Sequence, residues 1–140
     1  MEFKILVGII PVYDGKLLIV QRSSSATYLP SNWTFVCGHL NFGETLEQAV
    51  HRELKEEVSL SCEILGIVGT NEWTWSEGKK QHLQVNFVVR VFEDIVKLDE
   101  SCEAYRWIET YRETEIQTLD DFNKRMFKQY SESIYLVEKI

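Results

Sequence analysis

Three glutamates, Glu53, Glu56 and Glu57, crowd into five positions of the stretch AVHRELKEEVSL, Ala49 to Leu60. Taken as a helix over roughly 44–58, with about 100° between successive residues, the stretch has one apolar arc of Leu46, Ala49, Val50 and Leu54. Glu47, Gln48, His51, Arg52 and Lys55 lie opposite it on an ordinary wet face. Glu53 and Glu57, four residues apart, fall inside the apolar arc near Leu46 and Val50, and Glu56 lies at its edge beside Ala49. An acidic run is usually a solvated face, and here the spacing opposes that reading. Partial burial of like charges costs stability and raises carboxylate pKa values. Either some of the acids are protonated or a cation sits among them. A hard divalent ion such as Mg²⁺ takes oxygen ligands, and helix neighbours three and four apart present them together. The pattern favours the cation.

The residues around the glutamates fit the same chemistry. Gly38 and Gly43 flank HLNF, which allows tight turns and close approach of a main-chain carbonyl to a ligand. Glu44 and Arg52 lie eight apart on the outer side of the helix, each readable as half of a surface ion pair. Arg52 also neighbours Glu53 and can restrain it.

These residues need a scaffold, and the rest of the chain supplies its elements. FKILVGIIPVYDGKLLIVQR reads as two β-rich runs around Asp14-Gly15, a dipeptide favoured in tight hairpins. Residues 22–32 read as a polar surface loop broken by Pro30. WTFV reads as a short strand and CGHLNFG as the loop leading into the helix. CEILGIVGTNEWTW and HLQVNFVVRVF follow as strands with a turn at SEGKK, then a short strand at AYRWI. Leu119, Phe122, Met126, Phe127 and Tyr130 recur at helical spacing and predict a late helix. Strands, helix, strands, helix implies a mixed sheet covered by helices, an α/β or α+β layered domain. The length of 140 residues suits one domain with one real core, spanning residues 1–140.

Composition narrows the partners. A net charge of −7 disfavours non-specific binding to nucleic acid or to an anionic membrane. The longest apolar run, Ile5 to Val12, is too short to span a bilayer. No basic and apolar leader is visible at the amino terminus, so a cytoplasmic location is expected. Cys37, Cys62 and Cys102 are odd in number and widely spaced, which fits a reducing compartment and argues against a disulfide framework and a zinc knuckle. A homodimer is left open, because an apolar edge cannot be told from core in sequence.

Taken together, Gly38, Glu44, Arg52, Glu53, Leu54, Glu56, Glu57 and Leu60 resemble the Nudix box. That pattern is glycine, five residues, glutamate, seven residues, then Arg-Glu-aliphatic-x-Glu-Glu-x-Gly-aliphatic, and it occupies the 23 residues from Gly38 to Leu60. Ser59 stands where the pattern closes on glycine, Val36-Cys37 where Pro-Gly is common, and Asn41 where an acid is frequent. The resemblance implies a Nudix-type α/β/α sandwich with a mixed central β-sheet. It also implies hydrolysis of a diphosphate linked to another moiety. Glu53, Glu56, Glu57 and the Gly38 carbonyl would hold Mg²⁺, with Mn²⁺ as a substitute. Glu53 would combine ligand and general base, restrained by Arg52, and Glu100 or Glu103 would serve as a distal carboxylate.

The cation also explains how an acidic chain holds a more acidic substrate, a small nucleotide or other diphosphate. Arg22, Tyr28, His39, Phe42 and His82 are the candidates to hold it. GHLNFGET resembles the GHLEFGE form of Nudix enzymes acting on nucleoside triphosphates. Two rival readings remain. VCGH at Val36 to His39 resembles isopentenyl diphosphate isomerase, in which Cys37 would transfer a proton and His39 bind metal, although no histidine precedes His39. A non-catalytic Nudix-like nucleotide-binding domain would be expected to lose box carboxylates, and none is lost here.

Overall fold

The computed structural model describes residues 1–109, 113–117 and 119–139. Its first two strands, β1 (Glu2–Tyr13) and β2 (Lys16–Arg22), are joined at Asp14 and Gly15, with φ of 48° and 74°. A two-residue hairpin turn of type I′ needs φ above zero at both positions, and Asp-Gly supplies this at small cost. The remaining elements are β3 (Trp33–Thr34), β4 (Val36–His39), α1 (Leu46–Val58), β5 (Cys62–Trp75), β6 (Lys80–Val91), β7 (Cys102–Glu109), α2 (Glu113–Gln117) and α3 (Asp121–Lys139).

β1 is the hub of the sheet. It pairs with β2 only near the turn, at Val12↔Leu17 and Tyr13↔Lys16, and then diverges to accept β4 antiparallel from Leu6↔His39 to Ile9↔Val36. On its other edge it runs parallel to β6 from Glu2↔Lys80 to Val12↔Arg90. The order is β3-β2-β1-β6-β5, with β7 on β2. The parallel pair makes the sheet mixed, as expected from the order of elements.

Strand alternation gives the sheet two apolar faces. Val7 and Ile9, Leu18 and Val20, and Phe87, Val89 and Val91 pack with Ala49, Val50, Leu54 and Val58 of α1. Ile10, Leu17, Ile19 and Val88 point the other way and pack with Leu119, Met126 and Tyr130. The late apolar periodicity therefore does mark a helix, and helices cover both faces. Among the described residues no helix is long and apolar enough to cross a membrane.

Three local expectations change. WTFV is divided between β3 and β4, and β4 runs through Cys37 and Gly38 to His39, where a loop was expected. Pairing with β1 holds that segment extended, a long-range constraint that local glycine content does not reveal. The box helix starts at Leu46 rather than at Glu44, because Thr45 caps it. The Thr45 hydroxyl accepts the Gln48 N–H at 3.1 Å and the Gln48 side-chain oxygen accepts the Thr45 N–H at 2.9 Å, a reciprocal capping box. The short helix α2 was not expected.

Candidate active site

Arg52 organises the carboxylates. Helical projection puts it on the wet face, but its long side chain is only 24% exposed. Nε and Nη2 grip both oxygens of Glu44 at 2.6 and 2.8 Å. Nη1 donates to Glu53 Oε1 at 2.7 Å and to Glu56 Oε2 at 3.3 Å, and Nη2 reaches the His39 carbonyl at 2.9 Å. Guanidinium has five N–H groups, and these five bonds match that number. The surface ion pair foreseen between Glu44 and Arg52 is thus part of a brace between α1 and β4. Glu44 also accepts the Asn41 N–H at 3.0 Å. Arg52 first, and this amide second, hold its carboxyl down at about 2.

Gly38 faces Glu53. A methyl carbon on Gly38 would overlap the Glu53 carboxylate. The glycine is therefore required by close packing in β4 and not, as its surroundings suggested, by a tight turn; Gly43, with φ 86°, does make one. Glu53 is held from two sides, by the bare backbone of β4 and by Arg52.

Glu53 and Glu57 are half-buried, whereas Glu56 is exposed. Burial raises the Glu53 carboxyl against the opposing pull of Arg52. Burial, followed by the charges of Glu53 and Asp99, pushes Glu57 up to about 8. Arg22 lowers it, but less. Among the described residues no three His, Cys, Asp or Glu side chains are already gathered at one point. The donors are nonetheless hard oxygens, desolvated and mutually repelling, with Arg52 committed to five acceptors. A divalent cation fits that environment.

Glu53, Glu57 and Gly38 open onto a cavity of about 660 Å³, within the range of small-molecule sites. Arg22 lines it beside them and donates from Nε to the Tyr28 carbonyl at 2.8 Å. Tyr28 meets Trp75 edge-on, with centroids 4.9 Å apart. Trp73 stacks on His82 at 4.8 Å and 7°, and takes Phe122 edge-on at 4.7 Å. Asp120 closes the far end: Oδ2 accepts Asn32 Nδ2 at 2.6 Å, and Oδ1 accepts the backbone N–H and Nδ2 of Asn123 at 2.8 and 2.9 Å.

The candidates read from sequence are distributed as follows. Glu53, Glu57, Gly38, Arg22, Tyr28, His39 and His82 line the cavity. Burial, with Lys4 next, lowers the His39 pKa; burial also lowers that of His82, with Lys80 next, so both imidazoles favour the neutral form. Glu56 is tied to the cluster through Arg52 without lining the cavity. Phe42, in the turn before Gly43, is fully exposed and does not line it. Glu100 is exposed and absent from the lining, and Glu103 is occupied by the Ser24 N–H at 2.6 Å. Asp99 of the same segment, also exposed and outside the lining, donates its N–H to the Glu57 carbonyl at 3.2 Å, and its charge is one of those that raise Glu57. Sequence reasoning passed over Asp99, Asn32, Asp120 and Asn123. Only the last pair left a signal, Asp-x-x-Asn at the start of the predicted late helix, the spacing of an N-cap.

The NUDIX domain family model matches residues 2–130. The chain belongs to the Nudix family. It is a Nudix hydrolase, of the class acting on phosphorus anhydrides. It is 25% identical over 109 residues to a protein named nucleoside triphosphatase NudI from Escherichia coli O139:H28 (strain E24377A / ETEC), covering 68% of this chain and 74% of that one. A shorter stretch of 62 residues is 36% identical to NAD-capped RNA hydrolase NudC of Vibrio atlanticus (strain LGP32), covering 44% of this chain and 22% of that protein. The Nudix fold matches the crystal structure of MutT protein from Methanosarcina mazei Go1 with a TM-score of 0.82. That match has 22% identity and covers 94% of this chain and 95% of the other. It establishes the α/β/α sandwich.

Proposed function

We propose that the chain is a Mg²⁺-dependent pyrophosphohydrolase of nucleoside triphosphates, ribo or deoxy. The observation carrying this reading is the Glu53–Glu57 pair, raised by burial, in the wall of a cavity that also carries aromatic rings, amides and the cations Lys4, Arg22 and Lys80. Glu53, Glu56, Glu57 and the Gly38 carbonyl would hold the ion, with Asp99 in the place expected of Glu100 or Glu103. When bound, Mg²⁺ would neutralise phosphate oxygens and acidify the attacking water.

The protein's own groups account for the remaining steps. Arg22, fixed by the Tyr28 carbonyl and facing Glu57, orients the phosphate chain. Glu53 takes the proton of the attacking water; its raised pKa brings it nearer to neutrality, where a general base works best. Arg52 and Gly38 hold that carboxylate in one position. Water attacks phosphorus, the anhydride P–O bond breaks, and pyrophosphate leaves as an anion with a nucleoside monophosphate as the second product. Tyr28, Trp73 and Trp75 offer faces and edges for a nucleobase. The GHLNFGET segment and the name of the NudI relative support the triphosphate as substrate class.

The isomerase reading needs Cys37 to transfer a proton and histidines to hold its metal. Burial, and then the charge of Glu57, push that thiol up to about 12, so it stays protonated, and no histidine precedes His39 to complete the metal set that the isomerase resemblance implies. The test is product analysis with Mg²⁺ across nucleoside triphosphates, nucleotide sugars, ADP-ribose and isopentenyl diphosphate. The triphosphate reading expects monophosphate and pyrophosphate, lost by about 10²–10⁴-fold in Glu53→Gln. Preferred cleavage of another panel member, or turnover by Glu53→Gln at the wild-type rate, would count against it.

A further inference from the structure

Ser59 is the one box position that departs from the glycine of the pattern, and the fold uses its side chain. The residue closes α1 in the left-handed region, φ 61° and ψ 35°, with its N–H on the Lys55 carbonyl at 3.1 Å. A non-glycine residue there costs about 1 kcal/mol, so some contact must offset the strain. The Ser59 hydroxyl donates to the Lys97 carbonyl at 3.1 Å. Two further bonds run the opposite way: the Lys97 N–H to the Val58 carbonyl and the Asp99 N–H to the Glu57 carbonyl, both 3.2 Å. They satisfy carbonyls that a helix end leaves without partners. Val96, buried in the α1-side core, anchors the segment from below. Asp99 is locked at its own end, where Oδ1 accepts the Ser101 N–H at 2.9 Å and the Ser101 hydroxyl.

We propose that Ser59 is a positioning residue: its hydroxyl fastens segment 96–101 to the end of α1 and so holds the Asp99 carboxylate beside Glu57. A glycine would keep the two backbone bonds and lose the third, leaving Lys97 and Asp99 freer to swing away. The strained serine thus links the box helix to a carboxylate 40 positions downstream. The inference rests on the reading of Glu57 as a metal ligand.

The experiment is titration with Mn²⁺ alone, following free ion by electron paramagnetic resonance, on the wild-type chain, Ser59→Gly, Ser59→Ala, Asp99→Asn, Ser59→Gly/Asp99→Asn and Glu57→Gln. Thermal melts are run in parallel. Ser59→Gly relieves the backbone and should melt no lower than wild type, whereas Ser59→Ala keeps the strain and should melt lower. Both should bind Mn²⁺ on the order of 10-fold more weakly, as for other partners that orient metal ligands. In the Asp99→Asn background Ser59→Gly should add nothing. Wild-type affinity in Ser59→Gly, or an undiminished loss in the Asp99→Asn background, overturns the proposal. Equal Mn²⁺ binding by wild type and Glu57→Gln overturns the metal reading itself and this inference with it.

Discussion

A carboxylate that must act as a base has to be kept from wandering, and Glu53 is confined by what one neighbour lacks. Because a Cβ on Gly38 would occupy the place of its carboxylate, Gly38→Ala should displace Glu53 and break its bond to Arg52. A misplacement of about 1 Å can cost on the order of 10²-fold in rate, while overpacking costs about 1–3 kcal/mol of stability. Steady-state kinetics and thermal melts of Gly38→Ala check both; an active variant with normal kcat would show that Glu53 needs no such confinement. Glu57 yields a pH prediction. Its folded-state pKa of about 8 lies above its ordinary value of 4.5, so between these values the unfolded chain binds fewer protons. Stability of the metal-free protein therefore falls as pH rises across that window. Calorimetry in chelator should show a falling melting temperature from pH 5 to 8, a shallower fall in Glu57→Gln, and recovery on adding Mg²⁺ at pH 8. A flat profile for the wild type would refute the burial of Glu57.

At the scale of elements, the helix and its acidic pattern were legible because period and spacing are local. What the projection missed follows from its terms: it gives the direction of Cα–Cβ and says nothing of reach. Arg52 leaves the wet face on a long stem and turns towards β4, where Glu44, Glu53 and the His39 carbonyl collect its donors. The strand identity of Cys37 to His39 was illegible for another reason, since it depends on pairing with Leu6 to Gly8 some thirty residues away. The same non-locality hid the docking of α3. Asn123 Oδ1 accepts the N–H of fully buried Phe35 at 2.9 Å and the Thr34 hydroxyl at 3.1 Å, across 88 and 89 positions of sequence. Asn123→Ala leaves that buried amide without an acceptor, which costs about 1–3 kcal/mol. Urea denaturation should show the loss, together with a raised KM as Asp120 and Phe122 shift. An unchanged urea midpoint would mean that α3 is held by its apolar face alone.

Over the whole molecule, the two apolar faces of one sheet put chemistry and recognition on different supports. The carboxylates belong to α1 and are set by its packing on Val7, Ile9 and Val89. The opposite end of the cavity comes from β5, β6, the loop carrying Tyr28, and the first turn of α3. A substrate bridging them touches two supports joined through the sheet and through Arg22, which the main-chain carbonyl of Tyr28 holds whatever the side chain there, so the two contributions should separate in kinetics. Tyr28→Ala removes the edge contact to Trp75 and a face of the cavity without touching α1. It should raise KM for a nucleoside triphosphate about 10-fold, the scale of a lost aromatic contact worth 1–3 kcal/mol, and leave kcat within a factor of about two. Glu53→Gln should do the reverse, lowering kcat with KM nearly unchanged, because proton transfer is felt only in the transition state. The same pair of variants assayed on inorganic triphosphate, which keeps the anhydride chain but has no base to stack, should keep the Glu53 effect and lose the Tyr28 effect. If Tyr28→Ala lowers kcat as much as it raises KM, the loop is part of the catalytic arrangement, and the division between the two supports does not hold.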